Sequence, residues 1–294
     1  VYIPEEMKKN NYTGPLYGYY HQETKTFNVV SDKYREQMKD VSMIGFLKDE
    51  REIDVYDLAD ECFLCGVWFS KEVGKELKFQ VGSFENEVDI DWISFSGEAF
   101  SRNNTLVESV AMRECEVNIL GVGSVGSYIA LECGRLGIGR INLFDDDKLQ
   151  YHNISRHQCG IRDVGRFKVE AVKEKILNIN PYCEVNAFPE MIQHVDPAKL
   201  EEVIHRKSVF ICGADNRHAA HVCIRLADQF HIPMVTVGCG TRASTGEIYY
   251  FKPDCNMIRY EEAFGKDVSE LTIAEAAVLA GIAKNPEGYN PIKN

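Results

Sequence analysis

The run Gly121-Val122-Gly123-Ser124-Val125-Gly126 sets three glycines at the spacing of a phosphate-binding turn, directly after the apolar run 117–120 and before an amphipathic helical stretch. In that context each glycine has a mechanical task. The first permits the tight turn, the second lets backbone amides approach phosphate, and the third allows helix and strand to pack closely, with the helix N-terminus favouring negative charge. Asp145 ends the next apolar run, 141–144, where a carboxylate meets the hydroxyls of a ribose. These residues alone predict an adenine nucleotide and leave its identity open.

Three further stretches follow in order. Asp145-Asp146-Asp147 leads to Asn153-Ile154-Ser155-Arg156-His157, then to Gly165-Arg166-Phe167-Lys168, and Ala214-Asp215-Asn216 comes after a later strand. With Phe100-Ser101-Arg102-Asn103 ahead of the first strand, residues from about 100 to 264 resemble the ThiF/MoeB/HesA adenylyltransferases, which share the ubiquitin-activating-enzyme fold. The resemblance implies an ATP- and Mg²⁺-dependent reaction. A carboxylate, usually the C-terminal glycine of a ubiquitin-like or sulfur-carrier protein, joins the α-phosphate and expels pyrophosphate. It assigns the loop residues Gly121, Gly123, Ser124 and Gly126 to the nucleotide, Asp145 to the ribose, Asn153 and Arg156 to the triphosphate, and Lys168 to a bridge between phosphate oxygens. Asp215, next to Asn216, would hold Mg²⁺ near the α-phosphate, and Arg102 would be an arginine finger supplied across a homodimer interface. The implied catalytic set is therefore Arg156, Lys168, Asp215 and Arg102. Two anions must meet in this reaction, so positioned cations carry most of the work.

Each of these residues has a plainer alternative. For Arg156 and Lys168 it is a solvated surface cation, which their spacing from Asp145 disfavours; for Asp215 it is a cap for the helix after it, and for Arg102 a structural role. His152, His157 and His218 lack the paired spacing of a metal site and read as packing or solvent-facing residues.

Relatives in this family often carry paired CxxC motifs for structural zinc, or a cysteine that forms a thioester or persulfide. Here residues 255–262 offer the single thiol Cys255, so structural zinc is not expected and Cys255 is a possible acceptor thiol. The local pair Cys62-Phe63-Leu64-Cys65 lies in an apolar stretch and reads as core. Cys239, between Gly238 and Gly240, reads as packing near the nucleotide.

The elements that must position these residues follow from periodicity. Strand, glycine turn, helix and strand recur from residue 116, which predicts a Rossmann-like, doubly wound α/β fold with a mostly parallel sheet. Strands are expected at 117–120, 141–144, 208–212 and 234–237, with Gly246 turning into an antiparallel strand at 247–251; helices are expected at 124–136, 167–180 and 216–230. Residues 1–98 read as a small α+β domain, with short apolar stretches at 27–30, 42–47 and 65–69 broken by charged clusters, helical spacing over 53–63 and strand-like alternation over 76–81. That domain has no metalloprotease signature and reads as a degenerate remnant or a docking module. Residues 99–264 form the expected ATP-binding domain. Residues 265–294 resemble a fragment of the glycosyltransferase domain of class A penicillin-binding proteins, with a helix at 272–279.

Composition bounds the rest. The 294 residues suit about two domains. The net charge of −12 disfavours a nucleic-acid partner. Ten cysteines in a chain of this length suit a reducing, cytoplasmic setting, and no apolar run predicts a membrane span. The chain opens on Val1, which reads as a fragment or a processed product. Three rival functions share the glycine turn: adenylation of a small molecule or a modified tRNA base, an NAD-dependent oxidoreductase, and a nucleotide-binding pseudoenzyme or scaffold.

Overall fold

In the computed structural model, the described residues are those outside 11, 13, 22, 39–40, 50–66, 70–76, 82–83, 88–90, 95–99, 101–108, 206, 215–216, 240–245 and 254–294. The expected helices at 53–63 and 272–279 lie outside the described residues. The chain divides into two units: Val1–Glu114 with Leu131–Gly139 and Glu174–Glu184, and Cys115–Ala130 with Arg140–Lys173 and Val185–Asn294.

The first unit carries a sheet of eight described strands: β1 (Tyr2–Pro4), β2 (Gly14–His21), β3 (Thr26–Val29), β4 (Ser42–Asp49), β5 (Val67–Phe69), β6 (Leu77–Val81), β7 (Phe84–Glu87) and β8 (Asp91–Ile93). Their spatial order is β7-β6-β5-β4-β2-β3-β1-β8. It is richer in strands than the sequence suggested, because β1 pairs in parallel with β8 from ninety residues downstream, a long-range match that no local pattern announces. Helices α1 (Glu5–Lys9), α2 (Asp32–Gln37) and α3 (Ser109–Arg113) complete it. Helix α2 starts where Ser31 accepts the Tyr34 N–H, a side-chain cap on an otherwise orphaned donor. Its Tyr34 hydroxyl donates to Asn178 Oδ1 at 2.7 Å, and Lys33 donates to the Tyr182 carbonyl at 2.7 Å. Ile3, Met7, Leu16, Phe27, Val29 and Ile44 form the core under this sheet.

The second unit holds the expected doubly wound sheet. Strands β9 (Glu116–Leu120), β10 (Arg140–Phe144), β11 (Glu184–Phe188), β12 (Ser208–Cys212), β13 (Met234–Cys239) and β14 (Gly246–Phe251) lie in the order β11-β10-β9-β12-β13-β14. Strands β10 and β12 both run parallel to β9, β13 runs parallel to β12, and β14 is antiparallel to β13. Every residue of β9 is buried, as a central strand covered on both faces must be. Helices α4 (Ser124–Leu136), α5 (Lys168–Ile179), α6 (Pro197–Val203) and α7 (Arg217–Phe230) connect the strands. Phe144, Phe188, Phe210, Ile232 and Met234 are among the core residues, with the Phe144 and Phe188 rings stacked at 4.6 Å between centroids. No helix among the described residues is long and apolar enough to cross a membrane.

One layer of this core is polar. Asn142, fully buried, donates through Nδ2 to Asn118 Oδ1 at 2.7 Å and to the Val203 carbonyl at 3.0 Å, while its Oδ1 accepts from Asn186 at 2.9 Å. The ladder crosses β9, β10 and β11 and ties α6 to the sheet, so a one-residue slip of any strand would strand several buried amides. Asn142→Ala is expected to cost about 2–3 kcal/mol in urea unfolding, because Asn118 and Asn186 then lose their shared partner in the interior. A cost below about 0.5 kcal/mol would show that the ladder is not specifying register.

Candidate active site

The strand order reverses around β9: the chain goes outward through β10 and β11, then returns to the other side of β9 through β12. Ligands of such sheets sit beyond the carboxyl ends of the strands at this reversal. The glycine loop leaves the C-terminal end of β9 there and becomes the first turn of α4.

Three backbone segments converge on that loop, and its glycines let them. Gly121 adopts φ +80°, donates its N–H to the Phe144 carbonyl at 2.9 Å, and has Ala214 so close that a Cβ would come within 2.8 Å of its nitrogen. Gly126 faces the Gly121 carbonyl oxygen so closely that a Cβ there would overlap it. Gly123 differs: a Cβ would meet nothing within 4 Å. Its lack of a side chain is not demanded by packing, and it suits a backbone left bare for phosphate. The loop therefore fits a nucleotide phosphate on its own geometry.

Asp145 stands at the end of β10 with a side chain 9% exposed. Its Oδ2 accepts the Val122 N–H at 2.7 Å and its Oδ1 accepts the Asp147 N–H at 2.9 Å. Burial pushes its carboxyl above the ordinary carboxylate value, and the Lys168 ammonium and the two backbone donors oppose that rise.

Lys168 reaches this carboxylate because the chain folds back on itself. Leu149 N–H donates to Arg166 O at 2.9 Å, Gly165 N–H to Leu149 O at 2.9 Å, and Lys168 N–H to Asp147 O at 3.0 Å, a short ladder that lays 165–168 beside 147–149. The Lys168 ammonium then sits 2.5 Å from Asp147 Oδ2 and 3.8 Å from Asp145 Oδ1. Asp163 orders the intervening turn by accepting from Gly160 N–H and Arg166, both at 3.0 Å.

Asn153 and Arg156 lie in the turn between these segments. Asn153 Oδ1 accepts the Gln150 N–H at 2.9 Å, so the side chain shapes its own turn. Arg156 is exposed, and its carbonyl accepts the Ser124 hydroxyl at 2.9 Å. Gly121, Gly123, Ser124, Gly126, Asp145, Asn153, Arg156 and Lys168 all lie in the second unit, with Asp145 on the glycine loop, Lys168 beside Asp145 and the Arg156 backbone against Ser124. Arg102, Asp215, Asn216 and Cys255 lie outside the described residues, as do Cys62 and Cys65 and the side chain of Cys239.

Two contributors were not singled out from the sequence. Asp147 is the closest partner of Lys168, and its place in an Asp-x-Asp pattern ahead of a lysine was the available signal. His157, read as packing or solvent-facing, is buried against the glycine loop, whereas His152 and His218 are exposed. The side-chain oxygens of Asp145, Asp146 and Asp147 lie within 4.8 Å of one another, but Asp147 is already occupied with Lys168.

Fold and site together define a Rossmann-like α/β domain in which an ammonium stands beside the carboxylate that holds a glycine loop. The chain belongs to the ThiF family, whose model matches residues 103–279. That match takes in residues 265–279, so the separate penicillin-binding reading of the tail is corrected; an alanine-rich helical pattern is common to many unrelated helices and carried that resemblance too far. The tRNA threonylcarbamoyladenosine dehydratase of Haemophilus influenzae is 28% identical over 129 residues, covering 43% of this chain and 48% of its own. Ubiquitin-like modifier-activating enzyme 5 of Caenorhabditis elegans is 36% identical over 165 residues, covering 53% of this chain and 39% of its own. The chain thus spans about half or less of the length of these relatives. The crystal structure of SeMet PaaA shares the fold at TM-score 0.50 and 24% identity, covering 69% of this chain and 68% of that one.

Proposed function

We propose that this protein is an ATP-dependent adenylyltransferase that activates the C-terminal carboxylate of a ubiquitin-like or sulfur-carrier protein, acting as a cytoplasmic homodimer. The observation that carries the reading is the placing of Lys168 beside Asp145, the carboxylate that accepts the Val122 N–H of the glycine loop, with the Arg156 backbone held against Ser124 of the same loop. An NAD-dependent oxidoreductase uses the loop and the carboxylate but has no need of both cations.

In this reading the loop amides and the start of α4 receive phosphate oxygens, and Asp145 exchanges its backbone donors for ribose hydroxyls. Lys168 swings from Asp147 to bridge phosphates, and Arg156 holds the triphosphate. The carrier carboxylate attacks the α-phosphorus, the bond to the bridging oxygen breaks, and pyrophosphate leaves with that electron pair. Asp215 would hold Mg²⁺, which would supply positive charge at the phosphates. Arg102 from a second copy completes the charge balance. Cys255 is a candidate acceptor for a later thioester or persulfide.

Membership of the ThiF family and similarity to a ubiquitin-like modifier-activating enzyme support the carrier reading. Similarity to a tRNA threonylcarbamoyladenosine dehydratase favours a second one, adenylation of a modified tRNA base, against which the net charge of −12 weighs. Titration with Mg·ATP and with NAD⁺ separates the classes. Arg156→Ala is expected to weaken Mg·ATP binding about tenfold or more, the worth of a charge-assisted phosphate contact. Preference for NAD⁺ would replace the reading, and pyrophosphate exchange stimulated by tRNA rather than by a carrier protein would select the second one.

A further inference from the structure

Residues 156–158 run beside the glycine loop and hold it at three points. The Ser124 hydroxyl donates to the Arg156 carbonyl at 2.9 Å, His157 Nε2 lies 2.8 Å from the Val122 carbonyl oxygen, and Gln158 N–H donates to Ser127 Oγ at 3.4 Å. The middle contact is the buried one, with His157 7% exposed.

The ring's chemistry is fixed by its second neighbour. Nδ1 accepts the Cys159 N–H at 3.0 Å, so Nδ1 bears no hydrogen, the proton resides on Nε2, and Nε2 donates to Val122. Val122, between the first two phosphate-loop glycines, is consequently held at both of its backbone groups. Its N–H goes to the ribose-side carboxylate of Asp145 and its carbonyl to the segment that carries Arg156.

We infer that His157 is a positioning residue of the nucleotide site: its neutral imidazole locks the glycine loop and Arg156 into one frame, and its protonation loosens that frame by breaking the bond that fixes the ring to its own segment. The inference deepens the adenylyltransferase reading and rests on it for the identity of the ligand. An imidazolium has a hydrogen on both nitrogens and accepts at neither, so it keeps its Nε2–H bond to Val122 while a proton on Nδ1 meets the Cys159 N–H head-on and breaks the bond that sets the ring's orientation on 156–159. Lys168, at the start of α5, faces the ring and repels that proton, whereas Asp145 at the end of β10 and Asp163 in the turn attract it. Burial is the largest influence, and the ring titrates below its ordinary 6.5. The folded state therefore binds this proton less readily than the unfolded chain. Its contribution to stability is present above about pH 6.5 and is lost as pH falls below that value.

The test is Mg·ATP affinity of the full chain between about pH 5 and about pH 8 for the wild type, His157→Leu and His157→Gln, with amide hydrogen exchange of residues 121–127 measured in parallel. The wild type is expected to lose about tenfold in affinity toward the acid end, the worth of one broken hydrogen bond. His157→Leu is expected to bind about tenfold more weakly near pH 8, to lack the wild-type acid limb, and to exchange loop amides faster. His157→Gln, which can donate to Val122 and accept from Cys159, should recover most of the lost affinity without recovering the acid limb. Wild-type affinity and an unchanged acid limb in His157→Leu would overturn the inference. If the wild type binds no Mg·ATP, the functional reading fails, and loop exchange alone decides the positioning role: unchanged exchange in His157→Leu refutes it. If His157→Leu does not fold, imidazole nitrogen chemical shifts of the wild type decide, since a proton on Nδ1 at neutral pH contradicts the lock.

Discussion

Lys168→Ala is expected to lower carrier-dependent pyrophosphate exchange about 10²- to 10³-fold, the usual cost of removing one preorganised group from a site where charge develops. The expectation follows from where the ammonium sits. It is 9% exposed, held between Asp147 and Asp145, and brought there by a backbone ladder that the substitution leaves intact. The ammonium is therefore already desolvated next to Asp145 and has only to leave the exposed Asp147 to meet a phosphate. Its loss leaves Asp145 without the cation that opposes its raised pKa, so the ribose carboxylate should take up a proton at higher pH than in the wild type. The fold should survive at a cost of about 1–3 kcal/mol, because Asp147 is 69% exposed and can turn to water. The Kd for Mg·ATP should change much less than exchange if Lys168 acts mainly as the α-phosphorus becomes crowded with oxygens. Equal losses in both would make it a ground-state anchor, and wild-type exchange would remove it from the mechanism.

What the sequence revealed of this site, and what it hid, follows from the reach of each interaction. The glycine loop, Asp145 and the helix after the loop were legible because strand, turn and helix are consecutive; α4 runs over Ser124–Leu136, the span that the apolar spacing of Val125, Ile129, Cys133 and Leu136 indicates. Strand β12, at Ser208–Cys212, was equally plain from its apolar run. Strand β11 was not. Glu184–Phe188 has a central asparagine as β9 and β10 do, but neither a glycine turn like that after β9 nor a carboxylate like Asp145 after β10 follows it to mark it as a strand. Helix α6 carries a legible start in Asp196, which caps Ala198, and Pro197, but its seven residues are too few for a helical period to stand out. The roles of Asp147 and His157 were hidden by distance along the chain. Each depends on a chain reversal that sets 165–168 against 147–149 and 156–158 against the glycine loop, and no local window contains both partners. The eight-stranded sheet of the first unit is the extreme case, since its order is set by pairings far apart in the chain.

Gly126→Ala and Gly123→Ala should separate stability from ligand binding within one turn. A methyl group at residue 126 would overlap the Gly121 carbonyl oxygen and lie 3.6 Å from Ile119 Cγ2, both in the rigid junction of β9 and α4. Neither can move without displacing the strand end or the helix start. A loss of about 3 kcal/mol is expected, seen as a fall in Tm on the order of 10 °C. At residue 123 the same methyl group meets no atom within 4 Å, and the residue has no left-handed φ to strain. Gly123→Ala should therefore melt within about 2 °C of the wild type, helped slightly by the reduced freedom of its unfolded chain. Its methyl group nevertheless stands where a phosphate would approach the bare backbone, so Mg·ATP affinity should fall about tenfold or more. Calorimetric melting and nucleotide titration of the two variants read the two effects independently. Wild-type affinity in Gly123→Ala would mean that phosphate does not cross the loop there, and a Tm loss in that variant as large as in Gly126→Ala would mean that the open face at residue 123 is filled by the protein itself.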